Sequence, residues 1–351
     1  MRKMILLASV FILCSCQFFN KNNNENQEFI DTEIPQAEVV WLAFIDPDLI
    51  EKKFVTNREG TTLFLGADEN TRKINTAPYG TRLKVIEKQE DWYVVQWYVT
   101  EEYEEDGKEI SRTGWAKAYV KKTDVGNLED IKLKESDLYA FYEDSESPIS
   151  EETVRELFQI EFIDKKTYEE ANKLRVNHLL EDTLAVRKLN GALSLTFEDD
   201  SVVILKDNDT DNDGAEVYEY MGQIEALQKY VVYVSYFESG EYILFDKKNG
   251  KRQEFSGFPY LSPDKKQIVV FPISMEGDES VAFYEVDENQ GIKESVSLLF
   301  TNWIPYFDVY EGLFWATDGY FYTPVNHSAV YWDINGNYNV ENCQYIRIKK
   351  K

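Results

Sequence analysis

Short apolar runs that end in acid-led turns are the feature of this sequence that most limits its fold. In the C-terminal half, Phe197, Phe245, Val286 and Trp332 each close such a run just before an acidic turn. Runs too short for a helix, bounded by Asp, Asn and Gly, are typical of β-strands joined by tight turns. The pattern predicts an all-β domain over residues 184–351.

The spacing of these turns predicts repeated four-stranded units. Successive turns lie about 40 to 50 residues apart, as in the blades of a β-propeller. Residues 260–271 resemble the Ser-Pro-Asp-Gly-Lys turn of periplasmic propeller proteins, with Lys265 in place of the glycine. The region is long enough for only about four such units, at the low end of propeller sizes. A β-sandwich and an open stack of hairpins therefore stay as alternatives to propeller-like repeats.

A second β-rich stretch lies in the N-terminal third. Residues 81–85 alternate polar and apolar side chains, which places Leu83 and Val85 on one face of a strand. Residues 92–99 are rich in aromatic and β-branched side chains, which strands favour. An acidic insert leads from them to a further strand at residues 114–120. We expect the last two strands to form a hairpin with a long, solvated loop.

In order and separation these segments resemble the bacterial SH3-type domain, a small β-barrel common in envelope proteins. The resemblance rests on short pieces of sequence at residues 55–58, 75–81, 83–85, 91–94, 114–116 and 119–120. The first loop, residues 61–66, and the insert at residues 100–111 depart from the family pattern. Both departures alter loops that would flank a ligand groove.

The resemblance also implies what the barrel would do. Small barrels of this kind bind extended ligands in grooves lined by aromatic side chains. The candidates are aromatic residues of the predicted hairpin: Trp92, Trp97, Trp115 and Tyr119. Two alternatives stay open. The rings could fill the barrel core, or the module could pack against its own C-terminal domain and bind nothing.

The N-terminus has the features of a signal peptide for export. Two basic residues precede an apolar run over residues 4–13 that is too short to span a bilayer, and Cys14-Ser-Cys16 follows. This segment resembles the lipobox of bacterial lipoproteins, which predicts cleavage before Cys16 and attachment of lipid to its sulfur. Cys14 fits less well, because the bulky Leu13 would occupy the cleavage bond. A plain secretory signal without lipid is the alternative.

Charge and residue counts exclude several classes of function. The chain has 64 acidic and 38 basic residues and a formal charge of −26, which repels nucleic-acid phosphates and favours cationic partners. Its 2 histidines and Cys343 leave few groups for nucleophilic or zinc chemistry. We therefore expect no catalytic residues. The alternative is a cell-wall glycan or peptide hydrolase that uses carboxylates of the C-terminal domain.

One acidic segment offers oxygen atoms at alternate positions. Asp209, Asp211 and Asp213 precede Gly214, a spacing that can surround Ca²⁺. The later positions of such a loop, where an EF-hand needs further oxygen donors, are apolar or aromatic in this chain. Calcium is thus the one cofactor to consider, and a solvated acidic turn between strands is the alternative.

The sequence predicts a mainly β protein with an N-terminal SH3-like barrel, a short helical connector and a C-terminal β domain. The connector follows from Ser150, which can cap a first helix, and from a second helical stretch at residues 165–173. The predicted segments are a signal peptide (1–15), a lipidated tether (16–40), the SH3-like domain (41–125), the connector with two short helices (126–183) and the β-rich repeat-like domain (184–351). We expect a membrane-anchored lipoprotein of the bacterial cell envelope, facing the periplasm or the exterior. It would bind peptidoglycan or an envelope protein, and no nucleic acid.

Overall fold

The computed structural model describes residues 38–43, 49–105, 108–143, 147–210, 212–272, 280–305, 312–333 and 335–351. The signal peptide, most of the tether and the predicted lipid site Cys16 lie outside these residues, as does Asp211. All described residues belong to one compact unit, Ala37–Lys351. The chain is 51% strand and 12% helix. The mainly β fold predicted from the apolar alternation is therefore confirmed.

The N-terminal sheet, which we call sheet 1, has 7 strands. They are β1 (Glu51–Val55), β2 (Thr61–Phe64), β3 (Lys73–Ala77), β4 (Arg82–Lys88), β5 (Trp92–Glu105), β6 (Lys108–Lys121) and β7 (Val125–Gly126). They pair antiparallel in the order β3-β2-β6-β5-β4-β1-β7. In β4, Leu83 and Val85 are buried while Arg82 and Lys84 are exposed, as the alternation predicts. One apolar cluster draws buried side chains from all six strands β1 to β6: Val55, Leu63, Ala77, Leu83, Val85, Val95, Ala118 and Val120.

Strands β5 and β6 form a hairpin that continues beyond the rest of sheet 1. Each strand is 14 residues long, and their ladder has no register shift. The expectation of a long, solvated loop over residues 100–111 was wrong, because the strands continue through most of this insert. Residues on the two strands meet across the ladder there; Thr100 Oγ1, for example, lies 3.1 Å from Thr113 Oγ1. Cross-strand pairs of this kind stabilise the extended ribbon.

The remaining strands begin within the predicted connector and continue to the C-terminus. They are β8 (Phe141–Tyr142), β9 (Pro148–Ile149), β10 (Phe158–Ile163), β11 (Arg175–Val176), β12 (Ala192–Thr196), β13 (Val202–Lys206), β14 (Val217–Ile224), β15 (Lys229–Ser235), β16 (Gly240–Asp246), β17 (Arg252–Phe255), β18 (Tyr260–Leu261), β19 (Gln267–Val270), β20 (Ser280–Val286), β21 (Ile292–Phe300), β22 (Trp303–Pro305), β23 (Phe314–Ala316), β24 (Phe321–His327) and β25 (Gln344–Lys350). Short 3₁₀ turns lie at Lys122–Asp124, Leu128–Asp130, Glu135–Tyr139, Glu225–Leu227, Ser328–Val330 and Val340–Asn342.

These strands form a two-stranded hairpin and three larger sheets. The two-stranded hairpin is β12–β13, and we call it the terminal hairpin because it lies at one end of the stack of sheets described below. Sheet 2 is the antiparallel meander β14-β15-β16-β17. Sheet 3 has the order β18-β19-β20-β21-β8-β9, and sheet 4 has the order β10-β25-β24-β23-β11 with β22 paired to β24. Sheets 2 and 3 each contain four consecutive strands, but the turns after Phe245 and Val286 lie within these sheets and not between them. The four-stranded units predicted from the turn spacing therefore do not correspond to the sheets, and the propeller-like arrangement was wrong for the described residues.

Residues 126–183 hold both predicted helices, α1 (Glu151–Leu157) and α2 (Lys165–Asn172). Ser150 caps α1, because its Oγ accepts a hydrogen bond from Thr153 N at 3.1 Å. The same segment also supplies β8 and β9 to sheet 3 and β10 and β11 to sheet 4. It is therefore part of the C-terminal sheets as well as a link to them.

The terminal hairpin and sheets 2 to 4 stack face to face in that order. Sheet 3 is covered on both faces: Ile268 and Val270 pack against sheet 2, whereas Val269 and Phe271 pack against sheet 4. Successive residues of a strand point to opposite faces. An apolar run without polar alternation is therefore what a strand needs when both of its faces are buried.

The two ends of this stack differ. At one end, Tyr168 and Ala171 of α2 pack against Phe314 and Tyr322 of sheet 4. At the other end, the terminal hairpin packs one face against sheet 2 and exposes its opposite face to solvent. Among the described residues the sheets thus form an open stack in which none is closed on itself.

Sheet 1 meets the C-terminal sheets at a junction centred on Tyr79. The Tyr79 hydroxyl accepts a hydrogen bond from Lys132 N at 2.8 Å and donates one to Lys132 O at 3.1 Å. The Tyr79 ring lies 5.1 Å from the ring of His327 in β24, and the Arg58 guanidinium carbon lies 4.0 Å from its centroid. Arg58 also pairs with Asp137 at 2.8 Å. The junction therefore combines these polar contacts with a small buried apolar cluster that includes Phe54 and Val330.

Candidate ligand-binding face of the N-terminal sheet

Three of the four predicted ligand-binding aromatics lie on the same face of the β5–β6 hairpin. Residues that alternate along a strand share a face, and the register places Tyr98 opposite Trp115 and Val94 opposite Tyr119. The side of the hairpin turned away from the apolar cluster of sheet 1 therefore carries four rings. We call this the outward aromatic face, and it consists of Trp92, Tyr98, Trp115 and Tyr119.

The structure separates Trp97 from the other three candidates. Trp97 shares its face with Val95, and it packs half-buried against the apolar cluster of sheet 1 together with Tyr93. Its role is to cover the core, which is one of the alternatives left open by the sequence. Tyr98 takes its place on the outward aromatic face. Taking every second residue of β5 from Trp92 onward is enough to predict that Tyr98 lies on this face.

The outward aromatic face has a half-buried end and an exposed end. Trp92 packs edge-on against Phe64, with ring centroids 5.6 Å apart and planes at 90°, and Tyr119 pairs with Phe64 across the sheet. At the other end Tyr98 and Trp115 contact each other, with centroids 5.2 Å apart and planes at 69°. Tyr98 is 56% exposed and Trp115 is 40% exposed. The exposed pair is the part of the face that a ligand can reach.

Beyond this pair the same face of the hairpin is acidic. Glu102 and Glu104 follow Tyr98 at even spacing along β5, Glu109 lies on β6, and all three are exposed. Glu104 lies directly opposite Glu109, a like-charge pair that disfavours the ladder. Within the described residues these three carboxylates form no ion pair. We call residues 98–104 and 109–115 of this hairpin the acidic ribbon.

The reverse face of the acidic ribbon is balanced in charge. Glu101 lies opposite Arg112 and forms an ion pair with Arg72 at 3.0 Å. The Arg112 guanidinium carbon lies 4.3 Å from the centroid of the Trp41 ring. The excess negative charge therefore belongs to the side that carries Tyr98 and Trp115.

The outer edges of the acidic ribbon are only partly paired by the described residues. On one side, β4 pairs with β5 only as far as Gln96. On the other side, residues 40–42 bond to β6 only at Trp115 and Lys117. Beyond these points the described residues give the ribbon's outer edges no backbone partner. An exposed edge is a template on which an extended peptide can add as a strand.

These features suit a cationic, extended ligand. An ammonium or guanidinium group over a tyrosine or tryptophan face gains about 0.5 to 1 kcal/mol at an exposed site. Nearby carboxylates add attraction that weakens with salt. An acidic, aromatic surface beside a free strand edge thus offers a positive peptide three kinds of contact at once: rings, charges and backbone hydrogen bonds.

A small cavity also lies where sheets 2, 3 and 4 meet the segment after α2. It measures about 70 Å³ and is lined by His178, Tyr260, Phe314 and Trp315, among others. His178 Nε2 lies 3.1 Å from the carbonyl oxygen of Ser262, so Nε2 is the nitrogen that carries the proton. Burial lowers the pKa of His178. This is a satisfied, neutral histidine of the kind that a folded core commonly holds.

A larger cavity of about 220 Å³ includes two carboxylates, Asp264 and Asp318. Asp264 accepts a hydrogen bond from Ser262 Oγ at 2.7 Å and from Lys266 N at 3.1 Å. Asp318 accepts from Tyr322 Oη at 2.7 Å, and the pKa of Tyr322 is raised to about 12, chiefly by burial. Both carboxylates are therefore occupied in holding local structure.

The predicted calcium segment lies at the turn between β13 and β14. Asp209 and Asp213 are exposed, whereas neighbouring Asp207 is tied to Lys188 at 2.8 Å and accepts from Tyr218 N at 3.0 Å. The described residues contain no group of three acidic, histidine or cysteine side chains placed to hold a metal.

None of the helices in the described ranges is long and apolar enough to cross a bilayer.

Comparisons with known proteins add no relative to this picture. No protein family, curated protein or solved structure matches the chain.

Proposed function

We propose that this chain is a lipid-anchored protein of the bacterial cell envelope that binds an extended, cationic peptide or cell-wall component without catalysis. The observation that carries the proposal is the exposed Tyr98–Trp115 pair beside carboxylates of the acidic ribbon that form no ion pair within the described residues. Rings and charges on one face, next to free strand edges, are the elements of strand-addition binding. The strongly acidic composition of the chain supports a positive partner.

The proposed module is of the bacterial SH3 type. Its support is the set of short sequence pieces that resemble the family, together with a small antiparallel sheet whose strands share one apolar cluster. The extended β5–β6 hairpin is the departure from that pattern. On this proposal the acidic insert at residues 100–111 is the part that gives this module its own ligand preference.

The proposed anchor is a lipid on Cys16, at the end of a signal peptide over residues 1–15. Its support is the apolar leader and the small residue before the cysteine. Multiple acyl chains hold a protein at a membrane stably, where one chain is marginal. Mass spectrometry of the N-terminal peptide tests it: a lipid-modified Cys16 is expected. An unmodified thiol, or a protein that stays in the membrane fraction after Cys16→Ser, would refute the anchor.

One alternative is that the SH3-like module only packs against the C-terminal domain and binds nothing. The contacts that would do this lie on a different side of sheet 1. The junction is made by Phe54, Arg58 and Tyr79, and the outward aromatic face supplies none of these residues. The hydrolase alternative would need two available carboxylates in a cleft. In the cavity that holds Asp264 and Asp318, both are bonded to neighbouring side chains.

Binding can be tested with oligolysine, oligoglutamate of equal length and purified peptidoglycan as probes. We expect oligolysine to bind with an affinity that falls as salt rises, and oligoglutamate not to bind. Trp115→Ala should weaken binding about two- to fivefold, as loss of a cation–aromatic contact of about 0.5 to 1 kcal/mol at an exposed site implies. If neither oligolysine nor peptidoglycan binds, the proposal fails.

A matched control is available on the same chain. Trp332 is 55% exposed and contacts Tyr331 edge-on at 4.7 Å, much as Trp115 contacts Tyr98. Trp332→Ala should leave binding unchanged. Equal losses in the Trp115→Ala and Trp332→Ala variants would mean that the probe does not use the outward aromatic face.

A further inference from the structure

The terminal hairpin has an outward face on which β13 presents apolar side chains beside Ser194 and Thr196 of β12. Along β13, Val203 and Leu205 turn inward, while Val202 and Ile204 point outward and are 53% and 66% exposed. Beside the hairpin, Leu189 is 72% exposed. Strand β13 therefore has apolar side chains on both faces, although the described residues bury only one of them.

Elsewhere in the stack, strands with this composition are covered on both sides. In sheet 3, Ile268 and Val269 of β19 face opposite neighbouring sheets, and both are fully buried. At the far end of the stack, α2 covers sheet 4. Stacked repeats need a covered or polar outer surface at each end to stay soluble. The terminal hairpin is the end that lacks one among the described residues.

Charges at the two ends of the outward face indicate what covers it. Lys206 continues the outward positions of β13, and it lies opposite Ala192 at one end of the hairpin. Glu198 is exposed in the turn that follows β12 at the other end of the hairpin. Two copies of this face, related by a two-fold axis across the strands, would place Lys206 of each against Glu198 of the other. Such a self-complementary patch is what an isologous dimer requires.

We infer that the outward face of the terminal hairpin is a self-association surface, on which a second copy of this chain packs face to face. The contact places Ile204 at its centre and extends the stack from one chain into the next. Two sheets packed in this way lie about 10 Å apart, the spacing at which side chains of facing sheets interdigitate.

The size of the surface predicts a weak, reversible dimer. Each strand of the hairpin has 5 residues, and a strand of that length extends about 17 Å. A two-stranded face is thus well below the roughly 800 Å² that each partner contributes to a standard stable interface. The chain's charge of −26 also opposes association, but at physiological ionic strength this repulsion is screened beyond about 8 Å. Dimers should form at high local concentration and dissociate on dilution.

Light scattering on the full-length chain, purified in mild detergent, tests this at several protein concentrations. We expect the mass to rise from one copy to two as concentration increases. Ile204→Asp should weaken self-association at least a hundredfold. Val340→Asp changes a residue that is 56% exposed elsewhere on the chain, so it should leave the dimer intact. Both variants alter exposed positions, and equal melting temperatures will show that they fold.

A charge exchange identifies the partner as a second copy. Glu198→Lys and Lys206→Glu, made in separately tagged chains, should each weaken self-association about tenfold, and mixing them should restore pairing between the two. A chain that stays monomeric at all concentrations overturns the inference. So does a dimer that Ile204→Asp leaves unchanged, or crosslinking from position 204 in cells to a different protein only.

Discussion

Removing one hydroxyl group at the junction should measure how strongly sheet 1 is held to the C-terminal sheets. Tyr79→Phe deletes the oxygen that bonds both the N–H and the carbonyl of Lys132, at 2.8 and 3.1 Å. The ring stays, and with it the contacts to Arg58 and His327. The substitution therefore isolates two hydrogen bonds from the aromatic packing.

The expected loss follows from those two bonds. A hydrogen bond within a folded protein contributes about 0.5 to 1.5 kcal/mol net, so two of them give about 1 to 3 kcal/mol. Lys132 is only partly buried, and water can therefore satisfy part of what Tyr79 leaves behind. We expect a loss of about 1 to 2 kcal/mol in the free energy of unfolding.

Urea unfolding followed by tryptophan fluorescence measures this change. The wild-type chain should unfold sheet 1 and the C-terminal sheets in one transition, and Tyr79→Phe should lower its midpoint. Tyr103→Phe is the control, because Tyr103 lies 42% exposed on the acidic ribbon and its hydroxyl makes no hydrogen bond within the described residues. A change of under about 0.5 kcal/mol in Tyr79→Phe, or two separate transitions in the wild type, would refute the reasoning.

Three further predictions follow from particular residues. Gly222→Ala should destabilise the chain by about 3 kcal/mol or more, because Gly222 has φ +132° and an added Cβ would sit 2.3 Å from the carbonyl oxygen of Leu180. Gly319→Ala, at φ +79° in open space, should cost only about 1 kcal/mol in the same melting assay; equal costs would contradict the steric argument. Burial lowers the pKa of His327 from 6.5 to about 4. Between these values the unfolded chain binds a proton that the folded chain does not, so stability should fall as the pH drops through this range. Urea unfolding midpoints measured across this pH range should show the loss of stability, and His327→Gln should reduce that loss. An unchanged pH dependence in the variant would rule out His327 as its source. Cys16→Ser should move the protein from the membrane to the soluble fraction on cell fractionation, and retention in the membrane would count against the lipid anchor.

Local sequence patterns determined most of the strands. The alternation in β4 marks Leu83 and Val85 as buried, and the structure agrees. The cap at Ser150 marks the start of α1. In contrast, the three-to-four spacing of Val154, Leu157, Phe158 and Phe162 predicts that α1 continues through Phe162. That prediction was wrong, because Phe158 begins β10 and pairs with Lys350 of β25. A partner so distant in sequence can override local periodicity, and the local pattern does not contain it.

The candidate ligand-binding face was also only partly predictable from the sequence. The sequence alone shows that Trp92 and Trp115 lie in strands rich in aromatic residues, and a period of two is enough to group Trp92 with Tyr98. It does not show which face of the β5–β6 hairpin meets the apolar cluster, and so it could not tell that Trp97 is covered while Trp115 is exposed. That choice depends on how β1, β2 and β4 close over one side of the hairpin.

The sequence by itself determined that this chain is mainly β, acidic, and built from short strands with frequent turns, because those properties follow from residue type and spacing. The tertiary structure decided which strands from residues 126–183 enter sheets 3 and 4, and which end of the stack α2 covers. It also decided that Ile204 stays exposed although it has the apolar character of a buried strand residue. Burial is a property of neighbours brought together from distant parts of the chain, and no local pattern specifies them.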